Sequence, residues 1–297
     1  MNDGGDRGNA WIRAMPVVFV LIWSTGFIVA RFGMPQSPPM KFLAVRYALS
    51  ILCFLPWIVL AKVPWPVVRV QWRHLAVIGV LMHACYLGGV WAAVKAGMGS
   101  GLAALIVGLQ PVLTAFWLSA TGGRVSRRQW LGLLLGFVGL LMVVSRKFGL
   151  GGEAQWLNMA LAVGALFGIT IGTLYQKRFL APCDVRTASV IQLGAALLAT
   201  LPLTLFETEA MHWNAELLGA MAWSVLALTL GGSSLLYLLI QRGAAASVTS
   251  LMYLVPPCTA LMAWLLFAEP ITAMTIAGTL ITAVGVSLVV RPQRVNA

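Results

Sequence analysis

Ten stretches of this 297-residue chain contain no Asp, Glu, Lys or Arg: 14–30, 47–61, 75–94, 96–123, 129–145, 154–176, 187–206, 217–241, 243–268 and 270–290. Most reach the roughly 20 apolar residues that cross the hydrocarbon of a bilayer. The short 47–61 is extended by 42–45 and by Arg46, whose long stem is expected to let its head snorkel to the outer surface, with an inward turn toward substrate as the alternative. Soluble domains carry roughly 25% charged residues; this chain has 9%, with 60% apolar. A globular core could not bury so much apolar surface, and lipid can. The spacing predicts an all-α integral membrane protein of ten transmembrane helices, with no segment left over for a soluble domain.

The second constraint is a repeat. An offset of 146 pairs Gly97 with Gly243, Leu105 with Leu251, Pro111 with Pro257, Gly132 with Gly278 and Gly139 with Gly285, without a gap. Such self-similarity means two copies of one unit. They run over 14–145 and 155–291, after a Gly- and Asp-rich tail, 1–13, expected to be disordered. Five helices per copy is an odd number, so the second copy enters the membrane upside down. That predicts an inverted repeat about a pseudo-twofold axis in the membrane plane.

Charge sets the orientation. With the N-terminus inside, fourteen of the twenty Lys and Arg fall in inside segments, among them Arg69, Arg73, Arg124, Arg127, Arg128, Lys177, Arg178 and Arg242. The positive-inside rule then puts both termini in the cytoplasm. The net charge of +12 is spread over these loops, which suits anionic lipid headgroups rather than nucleic acid. Cys53, Cys85, Cys183 and Cys258 have no metal-ligand spacing and read as free thiols, so neither a metal nor a cofactor is expected. The apolar stretch from Ala14 is too long for a signal-peptide core and is expected to remain as helix 1.

Candidate functional residues lie inside the spans. His83, midway along helix 3, is either a functional group or a neutral imidazole bonded to a neighbouring helix. Tyr86 and Trp91 follow near the same face. Trp23, in Trp23-Ser24-Thr25-Gly26-Phe27 of helix 1, sits deeper than an interfacial Trp normally does. In helix 4, Pro111 follows Gln110 and cannot donate to the carbonyl of Val107. In helix 9, Pro257 does the same to Tyr253, and Pro256 to Met252. Two symmetry-related broken helices at equal depth point to a transport site. With Tyr237 of helix 8, the expected substrate-lining set is Trp23, His83, Tyr86, Trp91, Gln110, Tyr237 and Tyr253. The turn with Gly97, Gly99, Ser100 and Gly101 is expected to form the outer gate, and that with Gly243, Ala244 and Ser247 the inner one. Glu269-Pro270 reads as the cap of helix 10. Gly132, Gly136, Gly139, Gly278 and Gly285 suit close packing within the bundle, hence a monomer.

All eight acids sit in tails, loops or helix ends. Without a buried carboxylate the cavity should favour neutral or zwitterionic small molecules, held by aromatic faces and freed carbonyls. One buried His without an acid argues against an intramembrane hydrolase, so no enzyme is expected. Efflux of hydrophobic drugs, or less readily a channel or receptor, remains as an alternative.

With these residues together, the chain resembles the ten-helix drug/metabolite transporter superfamily, specifically proteins with two EamA repeats. The resemblance rests on residues 23–27, Arg46, Pro111, Pro257, Glu269-Pro270-Ile271-Thr272, Gly278 and Gly285. It departs at Gly123-Arg124, where the second copy has Glu269-Pro270. Within the family the aromatic-rich spans look most like YddG-type exporters of aromatic amino acids and methionine. The resemblance implies a bacterial inner-membrane exporter working by alternating access, with helices 1, 3, 4, 6, 8 and 9 around the cavity and 2, 5, 7 and 10 outside.

Overall fold

A computed structural model describes residues 3–121, 126–147, 154–232, 235 and 254–290. Its elements among these residues are helices: α1 (Asp3–Gly33), α2 (Pro39–Leu60), α3 (Arg69–Lys95), α4a (Ser100–Val107), α4b (Gln110–Ala120), α5 (Arg127–Lys147), α6 (Trp156–Phe179), α7 (Val185–Thr204), α8 (Ala215–Gly232), α9 (Val255–Phe267) and α10 (Ala273–Val290). Seven helical stretches are long and apolar enough to cross a membrane, taking α4a and α4b as one; Val17–Gly33, Val255–Phe267 and Ala273–Leu288 are apolar but shorter.

The chain's polar punctuation sets the helix ends. Pro39 opens α2 at a position where its missing N–H is not needed. Asp184 accepts from Arg186 N at the start of α7, and Asn214 from Leu217 N at the start of α8, each satisfying an orphan amide. Gln155 and Asn158 form a reciprocal capping box on α6. Gly97, at φ 93°, reverses the chain after α3. At the N-terminus the structure departs from expectation: α1 reaches back to Asp3 through the segment expected to be disordered.

Contacts between loops define the two ends of the bundle. At one end, Lys95 Nζ bonds Glu209 Oε2 at 2.6 Å, His212 N donates to the Gln36 carbonyl, and Asn158 Nδ2 donates to the Ala96 carbonyl. Glu269 lies at this end, against Ser100. At the opposite end, Gln71 Nε2 donates to the Ala181 carbonyl and Thr187 Oγ1 to that of Pro64.

Two pairs of counterpart helices, α2 with α7 and α5 with α10, pack side by side and run antiparallel. The start of α2 meets the end of α7 where Met40 N and Lys41 N both donate to the Glu207 carboxylate at 2.8 Å. Between α5 and α10 the contact is closer. A Cβ on Gly139 would collide with the Gly278 carbonyl and Thr282, and one on Gly285 with the Gly132 carbonyl and Gly136 N. The offset of 146 converts each of these contacts into the other. Small residues at those positions let the two backbones touch.

Candidate functional site

Span four is split in two. α4a stops at Val107, residues 108–109 form a turn, and α4b restarts at Gln110 with Pro111 in its first turn. Proline is tolerated there because that turn's N–H groups have no intrahelical acceptor. Pro256 and Pro257 occupy the same first-turn position in α9. The break of span four meets the start of α9: a Cβ on Gly108 would lie 2.9 Å from Pro256 Cγ. Beside them run two clefts among the described residues. One is lined by Gly101, Leu105, Ala260, Glu269 and Thr279, and the other by Leu105, Gly108, Pro256, Thr279 and Thr282.

Helices α3 and α8 carry a feature the sequence pattern does not announce. Each contains a π-helical stretch, 80–85 in α3 and 224–232 in α8, and the offset of 146 lays the first within the second. Such widened turns recur at functional sites because they shift carbonyls and side chains out of the regular ladder. His83 sits in the first. Its backbone carbonyl accepts from Tyr47 Oη at 2.8 Å, its ring faces Gln192 of α7, and its buried Nδ1 has no partner among the described residues.

The structure corrects the expectation for Arg46, which does not snorkel outward. It is 7% exposed and turns into the bundle, with Nη2 and Nε at 3.2 and 3.4 Å from Thr229 Oγ1 of α8. Its guanidinium lies 5.9 Å from the Trp91 ring centroid, beside Tyr47 and Tyr86. Outward extension would end among the apolar helix starts, whereas the π turn of α8 offers a hydroxyl acceptor.

Glu269 requires a second correction. It does not cap helix 10, which begins at Ala273 with Thr272 Oγ1 accepting from Thr275 N. Glu269 reaches across the sequence copies to the start of α4a, where Ser100 N donates to Oε1 at 2.9 Å and Gly101 N to Oε2 at 3.5 Å. The carboxylate complements a helix N-terminus, but of another helix. Gly99 is the N-cap of α4a and has no side chain to offer, and Ser100 Oγ is spent on the Phe27 carbonyl.

The expected liners divide. His83, Tyr86 and Trp91 gather around Arg46, although Trp91 is 1% exposed and stacks on Phe42 at 4.4 Å, so it is a wall rather than a contact surface. Gln110 lies apart, donating from Nε2 to Thr173 Oγ1 of α6 at 2.8 Å. Trp23 tilts against Phe19, and its motif is a packing hub: the Ser24 carbonyl accepts from Thr259, Thr25 Oγ1 from Trp223, and the Phe27 carbonyl from Ser100. Tyr237, Tyr253, Gly243, Ala244 and Ser247 lie outside the described residues, as do Gly123 and Arg124. Among the described residues no group of acids, His and Cys could hold a metal.

These features define a multi-pass membrane protein made of two like helical halves joined through split and widened helices. The chain belongs to the EamA-like transporter family, whose model matches residues 10–145 and again 156–291. It is 25% identical to the uncharacterized transporter YvbV of Bacillus subtilis, over 91% of this chain and 88% of that one. It is 24% identical to a probable amino-acid metabolite efflux pump of Salmonella typhimurium, over 95% of each. The uncharacterized inner membrane transporter YedA of Escherichia coli is 25% identical over 82% of this chain and 78% of its own. A crystal structure of another protein superposes with a TM-score of 0.64 at 17% identity, covering 92% of this chain and 94% of that one, a likeness of fold.

Proposed function

We propose that this chain is a secondary transporter that exports neutral or zwitterionic amino acids, aromatic or apolar ones first, by alternating access in a bacterial inner membrane. The observation that carries the reading is the contact between the proline-split span four and the proline-led start of α9, at Gly108 and Pro256. Half-helices at mid-depth present free carbonyls to a substrate ammonium and let one half of the bundle rock against the other. The antiparallel packing of counterpart helices supports the inverted repeat of two five-helix units, 14–145 and 155–291, on which such rocking depends. The name of the Salmonella relative supports the substrate class. Efflux of hydrophobic cations is the rival, and the inward charge of Arg46 counts against it. A channel would give flux without acceleration by substrate on the far side.

The test is counterflow. Purified protein in liposomes preloaded with a panel of amino acids should accumulate radiolabelled L-phenylalanine, with apolar and aromatic acids competing and cationic dyes not. Accumulation competed by dyes alone would replace this reading with the drug-efflux one. Transport is taken as facilitated, since the described spans hold no carboxylate beyond Glu216 in the first turn of α8. Flux driven by an imposed pH gradient and lost in His83→Gln would overturn that.

Orientation has its own check. Glu207, Glu209, Glu216 and Glu269 crowd one end, and Lys62, Arg69, Arg73, Lys177 and Arg178 lie at the other. The Lys and Arg at the second end support a reading in which the Glu269 end faces outside. In intact cells a Cys replacing Glu209 should react with a membrane-impermeant maleimide, and one replacing Ala181 only after permeabilisation. Equal labelling of both would sink the topology.

A further inference from the structure

We propose that Arg46 is the receptor for the substrate's carboxylate, an assignment that rests on the transporter reading above and narrows its substrate class. The guanidinium is buried two turns inside α2, yet its only hydrogen-bond acceptor among the described residues is one neutral hydroxyl, Thr229 Oγ1, at 3.2 and 3.4 Å. That hydroxyl donates its own proton to the Ser224 carbonyl at 2.9 Å, so its lone pairs face the arginine. A guanidinium has five N–H donors in a planar fork. One oxygen leaves most of them without an acceptor among the described residues.

No described carboxylate is free to compensate the charge. Asp184 binds Arg186, Glu207 binds the Met40 and Lys41 amides, Glu209 binds Lys95, Glu216 accepts from Gln36, and Glu269 caps α4a. A buried cation without a counter-ion is strongly unfavourable, and an apolar residue of like volume would stabilise the fold better. The charge therefore answers a need other than stability.

The surroundings select the ligand. Trp91 stands 5.9 Å from the guanidinium, with Tyr47 and Tyr86 beside it. A fork flanked by aromatic rings suits a carboxylate on an apolar or aromatic body. A phosphate dianion would leave surplus negative charge, because no second cation is near among the described residues. An amine lacking the carboxylate would meet like charge. Two π stretches, 80–85 and 224–232, border the site, one presenting the His83 carbonyl to Tyr47 and the other presenting Thr229.

The experiment uses three probes on the full chain: L-phenylalanine, 3-phenylpropionate (no ammonium) and phenethylamine (no carboxylate). In counterflow of radiolabelled L-phenylalanine, 3-phenylpropionate should compete and phenethylamine should not. Arg46→Met should reduce counterflow roughly tenfold or more, with a Tm equal to or above that of the parent. Arg46→Lys should keep part of the flux and the same order of competition. In a transport-independent arm, 3-phenylpropionate should raise the Tm of the parent but not of Arg46→Met, while phenethylamine raises neither. Absence of counterflow with every amino acid would sink the transporter reading; the thermal arm would still decide the carboxylate site. Phenethylamine competing as well as phenylalanine, a carboxylate-dependent Tm rise surviving in Arg46→Met, no such rise in the parent, or a lower Tm in both variants would overturn the assignment.

Discussion

Replacing Gly139 with Leu should remove most of the monodisperse protein recovered in detergent, whereas Gly164→Leu should leave the yield unchanged. At Gly139 a Cβ points into the Gly278 carbonyl and the amide and hydroxyl of Thr282. Backbone atoms of a packed helix cannot rotate away, so α5 and α10 must separate. Overpacking of this kind costs about 3 kcal/mol or more, and here it also strips the Thr282 hydroxyl from the Gly136 carbonyl. Gly285→Leu strikes the counterpart contact and should fail alike. Gly164 has nothing within 4 Å of its Cβ position, and Leu there gains helix propensity. Size-exclusion profiles of the three variants, made side by side, measure the difference. Normal recovery of Gly139→Leu would mean that the helices are not in backbone contact.

That contact was legible in the sequence as glycines at a shared offset, because a repeat records which positions do the same work twice. Seven of the spans were legible at membrane length too, since the hydropathy of a run is local. Three features were not. Arg46 was readable as a charge near the end of a span, but its direction is chosen by Thr229, 183 residues away. A snorkelling arginine and an inward one leave the same local pattern. Glu269 lay beside a good helix start of its own, and its true partner is an amide 169 residues distant. The π stretch of α3 leaves no mark, because Val80–Cys85 has neither the glycine nor the proline that would announce an irregular turn. In each case the missing information is tertiary. The helix break of span four fared better, because proline's lost donor is a covalent fact. The sequence could say that span four interrupts, though not that Gly108 would rest on Pro256.

A disulfide between Gly101→Cys and Ala260→Cys should stop transport completely, and a reductant should restore it. The Ser100 end of α4a is held to the second copy by Glu269, through Ser100 N and Gly101 N. A few residues away Lys95 is tied to Glu209 and to the Met34 carbonyl. If the substrate leaves through this end, α4a must part from α9 in every cycle, and the noncovalent latch can open where a covalent one cannot. The geometry permits the bond: a Cβ on Gly101 would stand 3.4 Å from Ala260 Cβ, near the roughly 3.5–4.5 Å that disulfides span. Cys53, Cys85, Cys183 and Cys258 are first replaced by Ser, in a background that keeps counterflow. Oxidation should then abolish L-phenylalanine exchange in the double variant and leave each single variant active. Glu269→Gln weakens the same latch without a covalent bond. It removes one charge from the α4a N-terminus but keeps an acceptor oxygen, so exchange should continue while the outer end opens more readily to a maleimide at Gly101→Cys. Full exchange by the oxidised pair would mean that the outer ends of α4a and α9 never separate, and the gate would have to be sought elsewhere in the bundle.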